Sequence, residues 1–313
     1  MVRMFSIALI SFAVLLAVLT TATFIGTLAI EQRHPPTGRF VDVTGGRLHV
    51  RELGDPSAPA VVLLHGASGN LEDMRLALGE KLSSRYRVVL IDRPGHGWSE
   101  RPGAEAAAPS RQATLIAEVL DTLGVARAIV VGHSYAGSTV TAFALDHPQR
   151  VAGLVLLAPA THPWPGGIAW FYTLTATPVI GELFARTIVL PLAFPLLEQL
   201  SRAVFAPQAM PERYVERSAL ALLLRPSAFV ANARDVAALY DNVVRQSPRY
   251  AEIAVPTVII TGDIDTIVSP QIHSRALART LPNAKLVVLP GVGHAVQHVA
   301  ADVIEAEIEK LVR

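Results

Sequence analysis

A serine stands where a strand would turn sharply into a helix. The apolar run AIVV at residues 128–131 predicts a buried strand, and GHSYAG at residues 132–137 follows it directly. Such a turn lifts the side chain at its apex clear of the sheet, provided that the flanking residues are small. Gly132 and Ala136 meet this condition around Ser134. The hydroxyl is therefore a candidate nucleophile, although a serine that only forms a turn or caps a helix would have the same local sequence.

Four other polar loops follow short apolar runs that predict strands. They are AVVLLHGA at residues 60–67, DRPGHGWS at residues 92–99, GDIDTIV at residues 262–268 and GVGH at residues 291–294. With the serine turn, they give the order Ser, Asp, His along the chain. In this order the loops resemble the motifs of the α/β-hydrolase family, in its capped, membrane-anchored bacterial form. The resemblance covers residues 40–313, nearly everything beyond the first apolar segment.

The resemblance implies three catalytic side chains. Ser134 would attack a carbonyl carbon, and His294 would take and return its proton, because an imidazole titrates near neutral pH. Asp265 would fix the tautomer of the imidazole and offset its positive charge. Asp263 lies in the same loop and is the alternative acid. We prefer Asp265 because the family pattern places the acid three residues after a glycine, here Gly262.

Two backbone N–H groups are expected to bind the negative oxygen of a tetrahedral intermediate. The N–H of Tyr135 would open the helix after the serine, where the positive end of the helix adds to the effect. By resemblance, Ala67 supplies the second donor from a short HGASG loop, which differs from the longer glycine run of many lipases and esterases. Ala136 stands where the family motif has its second glycine, with Gly137 one place later.

The residue types separate this chain from some relatives and from metal chemistry. Haloalkane dehalogenases and epoxide hydrolases of this fold use an aspartate at the turn, whereas Ser134 implies an acyl-enzyme route. We predict no cofactor, since no nucleotide or flavin motif is present. His298 and Asp302 follow His294 at helical spacing, but we expect His294 to precede that helix, and we predict no metal site.

Other polar residues near the motifs are predicted to have structural roles. We expect His65 to anchor its own loop, and His133 to be a hydrogen-bonded core residue because the turn separates its side chain from that of Ser134. Asp92 and His96 are expected to hold the turn of their loop.

Apolar runs and helical segments alternate along the chain, which is typical of a doubly wound α/β sheet. We predict a mostly parallel sheet of eight strands. The predicted strands are residues 39–43, 47–52, 60–64, 87–91, 128–131, 151–157, 257–260 and 285–289. Ligands of such sheets bind at the loops beyond the carboxyl ends of the strands, where the polar loops lie.

One long stretch interrupts the alternation. Residues 161–251 lack a convincing strand and are rich in aromatic residues and prolines. We predict that they form a helical cap inserted into the sheet domain, and we call them the cap. The hydrolase core then comprises residues 39–160 and 252–313. Some cap aromatics are expected to line an apolar pocket.

The N-terminus predicts a membrane helix. Residues 4–30 are all uncharged, and as a helix of ~1.5 Å per residue they exceed the ~30 Å of a hydrocarbon core. We favour a transmembrane anchor at residues 1–30, followed by a linker at residues 31–38. A cleavable signal is the alternative, with a weak small-residue site at residues 27–29. The flanking arginines favour a cytoplasmic catalytic part, but a long following domain can be translocated regardless of them, so the side is left open.

Composition excludes several other classes. Hydrophobic residues make up 51% of the chain and charged residues 17%, the opposite of intrinsic disorder. The net charge of +1 offers no basic field for nucleic acid. The absence of cysteine excludes disulfide scaffolds, thiolate metal sites and cysteine nucleophiles.

The sequence thus predicts a serine hydrolase acting on a small carboxylic ester with an apolar acyl part. The same three residues would also serve a carbon–carbon bond hydrolase, an amidase or peptidase, or a cofactor-free haloperoxidase. A non-catalytic binding module on this fold is a further alternative. A binding module would not need Ser134, Asp265 and His294 together, so the presence of all three favours the hydrolase.

Overall fold

The computed structural model describes residues 2–312. Its strands are β1 (Arg39–Val43), β2 (Gly46–Leu53), β3 (Ala60–Leu64), β4 (Arg87–Ile91), β5 (Ala128–His133), β6 (Val151–Leu157), β7 (Thr257–Gly262) and β8 (Ala284–Leu289). They form one eight-stranded sheet in the order β1-β2-β4-β3-β5-β6-β7-β8. β2 pairs antiparallel with β1 and β4, and the other pairs are parallel. The predicted doubly wound, mostly parallel sheet is confirmed.

Helices connect the strands and cover both faces of the sheet. They are α1 (Val2–Arg33), α2 (Leu71–Met74), α3 (Glu80–Leu82), α4 (Pro109–Thr122), α5 (Ala136–Asp146), α6 (Trp170–Ala176), α7 (Ile180–Phe184), α8 (Leu190–Ala193), α9 (Leu197–Phe205), α10 (Tyr214–Arg217), α11 (Pro226–Gln246), α12 (Ser274–Thr280), α13 (Val296–Val299) and α14 (Ala301–Val312). α6 to α11 lie between β6 and β7, the interval in which we predicted the cap. The exact domain boundaries remain a prediction.

The central strands are buried on both faces, which explains their continuous apolar runs. Along β5, Val130 packs into the core that contains α4 and α5, and Val131 packs into the core on the opposite face. Side chains of a strand alternate between faces, so each face receives one aliphatic row. Because β3, β5, β6, β7 and β8 are parallel, their carboxyl ends meet at one edge of the sheet. The loops with candidate functional residues therefore converge there.

The helix α1 packs along the cap with one face. Thr23 and Ile30 are buried on this face, and a Cβ atom added to Gly26 would lie 2.8 Å from Leu190 Cδ2. The segment Arg3–Arg33 has a mean hydropathy of 2.4, and a second segment, Ile180–Phe205, has 1.6. By length and composition, both are long and apolar enough to cross a membrane.

A buried ion pair ties the cap to the sheet domain. Asp235 on α11 is fully buried, and its Oδ2 atom accepts a hydrogen bond of 2.7 Å from Arg93 Nη1, in the loop after β4. Arg101 Nη2 lies 2.9 Å from the other carboxylate oxygen. Gln112 Nε2 also donates to Asp235 Oδ2, at 3.1 Å. One carboxylate thus compensates two guanidinium groups at the cap–core contact.

We predict that Asp235→Ala destabilises the protein by about 3–5 kcal/mol, because it leaves two buried or half-buried arginines uncompensated. Urea unfolding of the full-length protein in detergent measures the change. The matched control is Glu198→Ala, whose ion pair with Arg202 is exposed, and it should change the free energy of unfolding by no more than about 1 kcal/mol. Equal effects of the two substitutions would contradict this assignment.

Candidate active site

Ser134 occupies the turn between β5 and α5 with a left-handed backbone, at φ 53°. A non-glycine residue in this region is strained, and close packing holds it there. A Cβ atom on Gly132 would lie 2.5 Å from Val140 Cγ2, and one on Gly137 would lie 2.4 Å from Pro159 Cβ. Gly137 is therefore required for packing against the chain after β6, one position beyond the family's second glycine.

The structure brings the three predicted side chains together. Ser134 Oγ lies 2.9 Å from His294 Nε2, and His294 Nδ1 lies 2.7 Å from Asp265 Oδ2. The carboxylate accepts from Nδ1–H, which leaves Nε2 free to accept the serine proton. All three residues are at least nine-tenths buried. The arrangement is a continuous hydrogen-bond chain from carboxylate to hydroxyl.

Backbone N–H groups hold Asp265 in its charged form. Its Oδ1 atom accepts from Ile267 N at 2.8 Å and from Val268 N at 2.9 Å. Burial alone would raise the pKa of Asp265, but the His294 ring and these two N–H groups outweigh it and lower the pKa below its ordinary value. The alternative acid, Asp263, is exposed and accepts from Gly291 N at 2.7 Å. Asp263 stabilises the loop that leads to His294 and does not contact the imidazole.

The loop after β3 lies directly against the serine. A Cβ atom on Gly66 would lie 3.0 Å from Ser134 Cβ, so the next residue, Ala67, adjoins the nucleophile. Neighbouring amides are already used, since Ser134 N donates to Leu157 O. Among the residues that the structure describes, the amides of Ala67 and Tyr135 have no hydrogen-bond acceptor in the chain. Both predicted donors thus flank Ser134 with a free N–H.

The cap holds this loop from outside. Ser68 is left-handed at φ 57°, and its N–H donates to Asn232 Oδ1 on α11 at 2.7 Å. Asn232 Nδ2 donates in return to Ser68 Oγ at 3.0 Å, and the Tyr172 hydroxyl of α6 lies 3.3 Å from the same oxygen. Sequence reasoning missed Asn232, because its partner is 164 residues away and the local sequence carries no motif.

A second network of buried polar side chains contacts His294. The rings of His133 and His294 are 4.8 Å apart, and His133 Nε2 donates to His294 O at 3.2 Å. Asp73 accepts from His298 Nε2 at 2.7 Å and from the Tyr214 hydroxyl at 2.8 Å. Gln297 Nε2 lies 3.4 Å from both Asp73 Oδ2 and His133 Nδ1 and joins these contacts into one network, which holds the backbone of His294 through His133. Asp73 lies on the short helix α2, and no motif in the sequence marks it.

The other predicted loop residues have structural contacts. His65 Nε2 accepts from Arg93 N at 3.0 Å, and its Nδ1 donates to Gly66 O at 2.8 Å, so it anchors its own loop as expected. Asp92 Oδ2 accepts from Trp98 N at 2.9 Å and thereby holds the turn of its loop. His96 Nδ1 lies 3.2 Å from Pro94 O in the same turn.

Within residues 2–312, no group of three or more histidines and acids could hold a metal ion. His298 contacts Asp73, whereas Asp302 forms an exposed ion pair with Lys81 at 2.8 Å. These two residues do not converge on His294.

An apolar cluster borders the nucleophile. It combines the residue after the serine, one residue of the acid loop and one of the loop after β3 with a residue after β6 and residues of the cap. Its members are Ala67, Tyr135, Ala160, Trp164, Leu239, Val243 and Val268. Because Leu239 and Val243 belong to α11, the cap supplies one wall of this cluster.

Buried neutral histidines predict sensitivity to acid. Burial, reinforced by the neighbouring His294, lowers the pKa of His133 from 6.5 to about 3. Between these values the unfolded chain binds a proton that the folded protein does not, so the free energy of unfolding falls as the pH drops from 6.5 towards 3.

We predict that His133→Gln flattens this fall, by at most about 1.4 kcal/mol per pH unit. Urea unfolding at a series of pH values measures the slope in both proteins. A constant offset between the two curves, with parallel slopes, would show that His133 takes up its proton equally in both states.

Comparison with known proteins identifies the fold family. A family model of the alpha/beta hydrolase fold matches residues 59–301. A 2-hydroxy-6-oxononadienedioate/2-hydroxy-6-oxononatrienedioate hydrolase from Burkholderia vietnamiensis (strain G4 / LMG 22486) is 29% identical over 268 residues, covering 83% of this chain and 90% of its own. Haloalkane dehalogenase 2 from Mycobacterium bovis is 29% identical over 293 residues, covering 88% of this chain and 95% of its own.

The fold also matches solved structures. A thermophilic esterase from Thermogutta terrifontis superimposes with a TM-score of 0.69 at 24% identity, covering 88% of this chain and 98% of that one. At this identity the similarity shows the fold alone. The family model spans well over half of the sequence. The chain is therefore a hydrolase that belongs to the alpha/beta hydrolase fold family.

Proposed function

We propose that the protein is a serine hydrolase that cleaves carboxylic esters with an apolar acyl part through an acyl-enzyme intermediate. The observation that carries the proposal is the chain of hydrogen bonds from Asp265 through His294 to Ser134 Oγ, with lengths of 2.7 and 2.9 Å. These are the distances that proton transfer from a serine to an imidazole requires. Ser134, rather than an aspartate, at the turn favours this route over the chemistry of a dehalogenase.

In the first half-reaction, Ser134 Oγ attacks the carbonyl carbon while His294 Nε2 takes the hydroxyl proton. The carbonyl oxygen becomes negative and accepts from the N–H groups of Ala67 and Tyr135. Loss of one such donor typically costs ~10²–10³ in rate. The imidazolium then returns the proton to the leaving alcohol as the carbon–oxygen bond breaks. Asp265 stabilises the imidazolium through its Nδ1–H.

In the second half-reaction, water attacks the acyl carbon and His294 takes one of its protons. The same two N–H groups bind the second oxyanion. Collapse of this intermediate breaks the bond to Ser134 Oγ, which recovers its proton from His294 and releases the carboxylic acid. The enzyme returns to its starting state without any added group.

We infer an apolar acyl part from the apolar cluster beside the nucleophile. Leu239, Val243 and Val268 are aliphatic and buried, and Trp164 lies against them. The nearby cation Arg93 is bound to Asp235 and is fully buried. An acyl chain that contacts this cluster would lose water-exposed area, and each buried methylene contributes up to about 0.8 kcal/mol.

A carbon–carbon bond hydrolase is the second candidate, because the Burkholderia relative is named as a hydrolase of a dicarboxylate. A substrate with two carboxylates calls for unpaired basic side chains near the nucleophile. The cluster that contains Tyr135 is apolar, and Arg93 beside that ring is already paired with Asp235, so we favour the ester. Amide cleavage and cofactor-free haloperoxidase chemistry use the same three residues, and no particular observation favours either.

We also propose that α1 is an uncleaved membrane anchor. Its uncharged stretch, residues 4–30, exceeds the ~7–15 apolar residues of a secretory signal. Its last third packs against the cap through Thr23, Gly26 and Ile30. A helix that forms part of the folded domain is better suited to anchoring than to removal.

We predict that a fluorophosphonate labels the wild-type protein on Ser134, and that Ser134→Ala abolishes both labelling and ester turnover, lowering kcat at least about 10⁴-fold. Mass spectrometry identifies the labelled peptide. The control is Ser201→Ala, which removes another buried hydroxyl, one that donates to Leu197 O on α9, and should leave labelling intact. An unlabelled wild-type protein with a normal Tm would favour the binding-module alternative.

We predict that kcat/KM for p-nitrophenyl esters rises with acyl length, by at most about fourfold per methylene, since each buried methylene contributes about 0.8 kcal/mol. Values of kcat/KM are measured for a series of esters from acetyl to dodecanoyl. The same quantity is then measured for a dicarboxylate that contains a vinylogous diketone. Faster turnover of the dicarboxylate, still dependent on Ser134, would replace the ester proposal with the carbon–carbon bond hydrolase while keeping the serine mechanism.

A further inference from the structure

Exposed apolar side chains are concentrated on the outer side of the cap. Beyond α1, sixteen large hydrophobic residues are exposed among those described, and nine of them fall within residues 170–204. Eight of the nine belong to α7, α8, α9 and the turns beside them. We call this set the apolar cap face: Val179, Ile180, Leu183, Leu192, Phe194, Leu196, Leu200 and Val204. Exposed apolar side chains concentrated on one part of a fold mark a surface that binds a partner.

The helix α9 shows how this face is built. Its buried side is formed by Leu197, Ser201 and Phe205, four residues apart. The exposed residues Leu196, Leu200 and Val204 form a second stripe with the same spacing. The charged residues Glu198 and Arg202 lie on a third stripe and pair with each other at 2.6 Å. A helix with separate core, apolar and charged stripes is typical of one that lies in a membrane interface.

The apolar cap face adjoins the proposed anchor. α1 packs on the cap through one stripe that contains Gly26 and Ile30, against the segment that contains Leu190 between α7 and α9. The other sides of α1 are exposed at the same level, where Phe24 and Ile25 are 62% and 60% accessible. The outer surface of α1 and the cap helices beside it therefore form one continuous apolar surface.

The contact between α1 and the cap changes from uncharged to charged directly after Ile30. Up to Ile30, the buried face of α1 is uncharged and contains Thr23, Gly26 and Ile30. The next turn makes ion pairs, Glu31 with Arg225 at 3.0 Å and Arg33 with Glu216 at 3.1 Å. A cavity of about 700 Å³ between α1 and the cap combines apolar walls with Arg33 and Glu216. A boundary of this kind is expected where hydrocarbon meets lipid headgroups.

We propose that the apolar cap face inserts into one leaflet of a lipid bilayer beside α1, with Arg33 and its partners at the headgroup level. The proposal rests on α1 being a membrane anchor. A protein partner on this face would also have to cover α1, whose apolar stretch is longer than a hydrocarbon core is thick. The paired arginines Arg186 and Arg202 can extend their long side chains to the headgroups.

The absence of cysteine allows a direct test with single-cysteine variants of the full-length protein. Spin labels at Leu192→Cys and Leu200→Cys report the cap face, and one at Val14→Cys reports the anchor. Ala126→Cys is the matched control, because Ala126 is exposed just before β5, at the sheet edge opposite Ser134. The proteins are reconstituted in phosphatidylcholine vesicles that contain phosphatidylglycerol. Accessibility to oxygen, which enters lipid, is compared with accessibility to a water-soluble nickel chelate.

We expect the ratio of oxygen to nickel accessibility to be several-fold higher at residues 14, 192 and 200 than at residue 126. A high ratio at 14 alone, with nickel-accessible labels at 192 and 200, overturns the cap insertion and leaves the anchor intact. Low ratios at all positions refute the anchor as well. Immobile labels at 192 and 200 that neither reagent reaches would indicate a protein partner or second copy, and would also overturn the proposal. Labelling of Ser134 by a fluorophosphonate in the same samples tests the hydrolase mechanism independently.

Discussion

The left-handed backbone of Ser134 is the constraint on which the site depends. A non-glycine residue in this conformation costs roughly 1–2 kcal/mol, which the surrounding contacts must offset. Ser134 N donates to Leu157 O at the end of β6, and Ser134 O accepts from Gly137 N and Ala160 N. These contacts fix the chain on both sides of the turn. Ala158, just after β6, is also left-handed at φ 43°, so the segment that holds the serine turn has a strained backbone as well.

Two buried polar networks position the partners of the serine. On one side, Asn232 on α11 fixes the loop that carries Ala67, and Asp235 on the same helix binds Arg93 beside that loop. In the second network, His133 Nε2 donates to the backbone oxygen of His294. Buried polar groups cost free energy unless they are paired, so each network is stable only when complete. The cap is consequently part of the site and not merely a cover over it.

The sequence was sufficient to predict the sheet and the three central residues, because each lies directly after a strand whose apolar run is visible locally. The strand ends and the parallel order place the loops of Ser134, Asp265 and His294 at one edge of the sheet, and the family resemblance was needed to prefer Asp265 over Asp263. Asn232 could not be found in this way, since a buried amide on a helix has no local signal when its partner lies far along the chain. Asp73 was missed for the same reason, because its contact with His298 spans 225 residues. The offset of Gly137 from the family motif is visible in the sequence, but its reason, close packing on Pro159, is visible only in the structure.

The cap also connects the site to its own outer surface through direct contacts. Tyr172 on α6 lies 3.3 Å from Ser68 in the loop that carries Ala67. The ring of its neighbour Phe171 meets the Trp170 indole edge to face, with centroids 6.1 Å apart, and the indole meets Phe184 on α7 in the same way at 6.2 Å. Aromatic pairs at these separations are favourable beyond the area they bury. The helix α6 contacts both α7 and the loop that carries Ala67, so only one helix separates the exposed face of α7 from that loop.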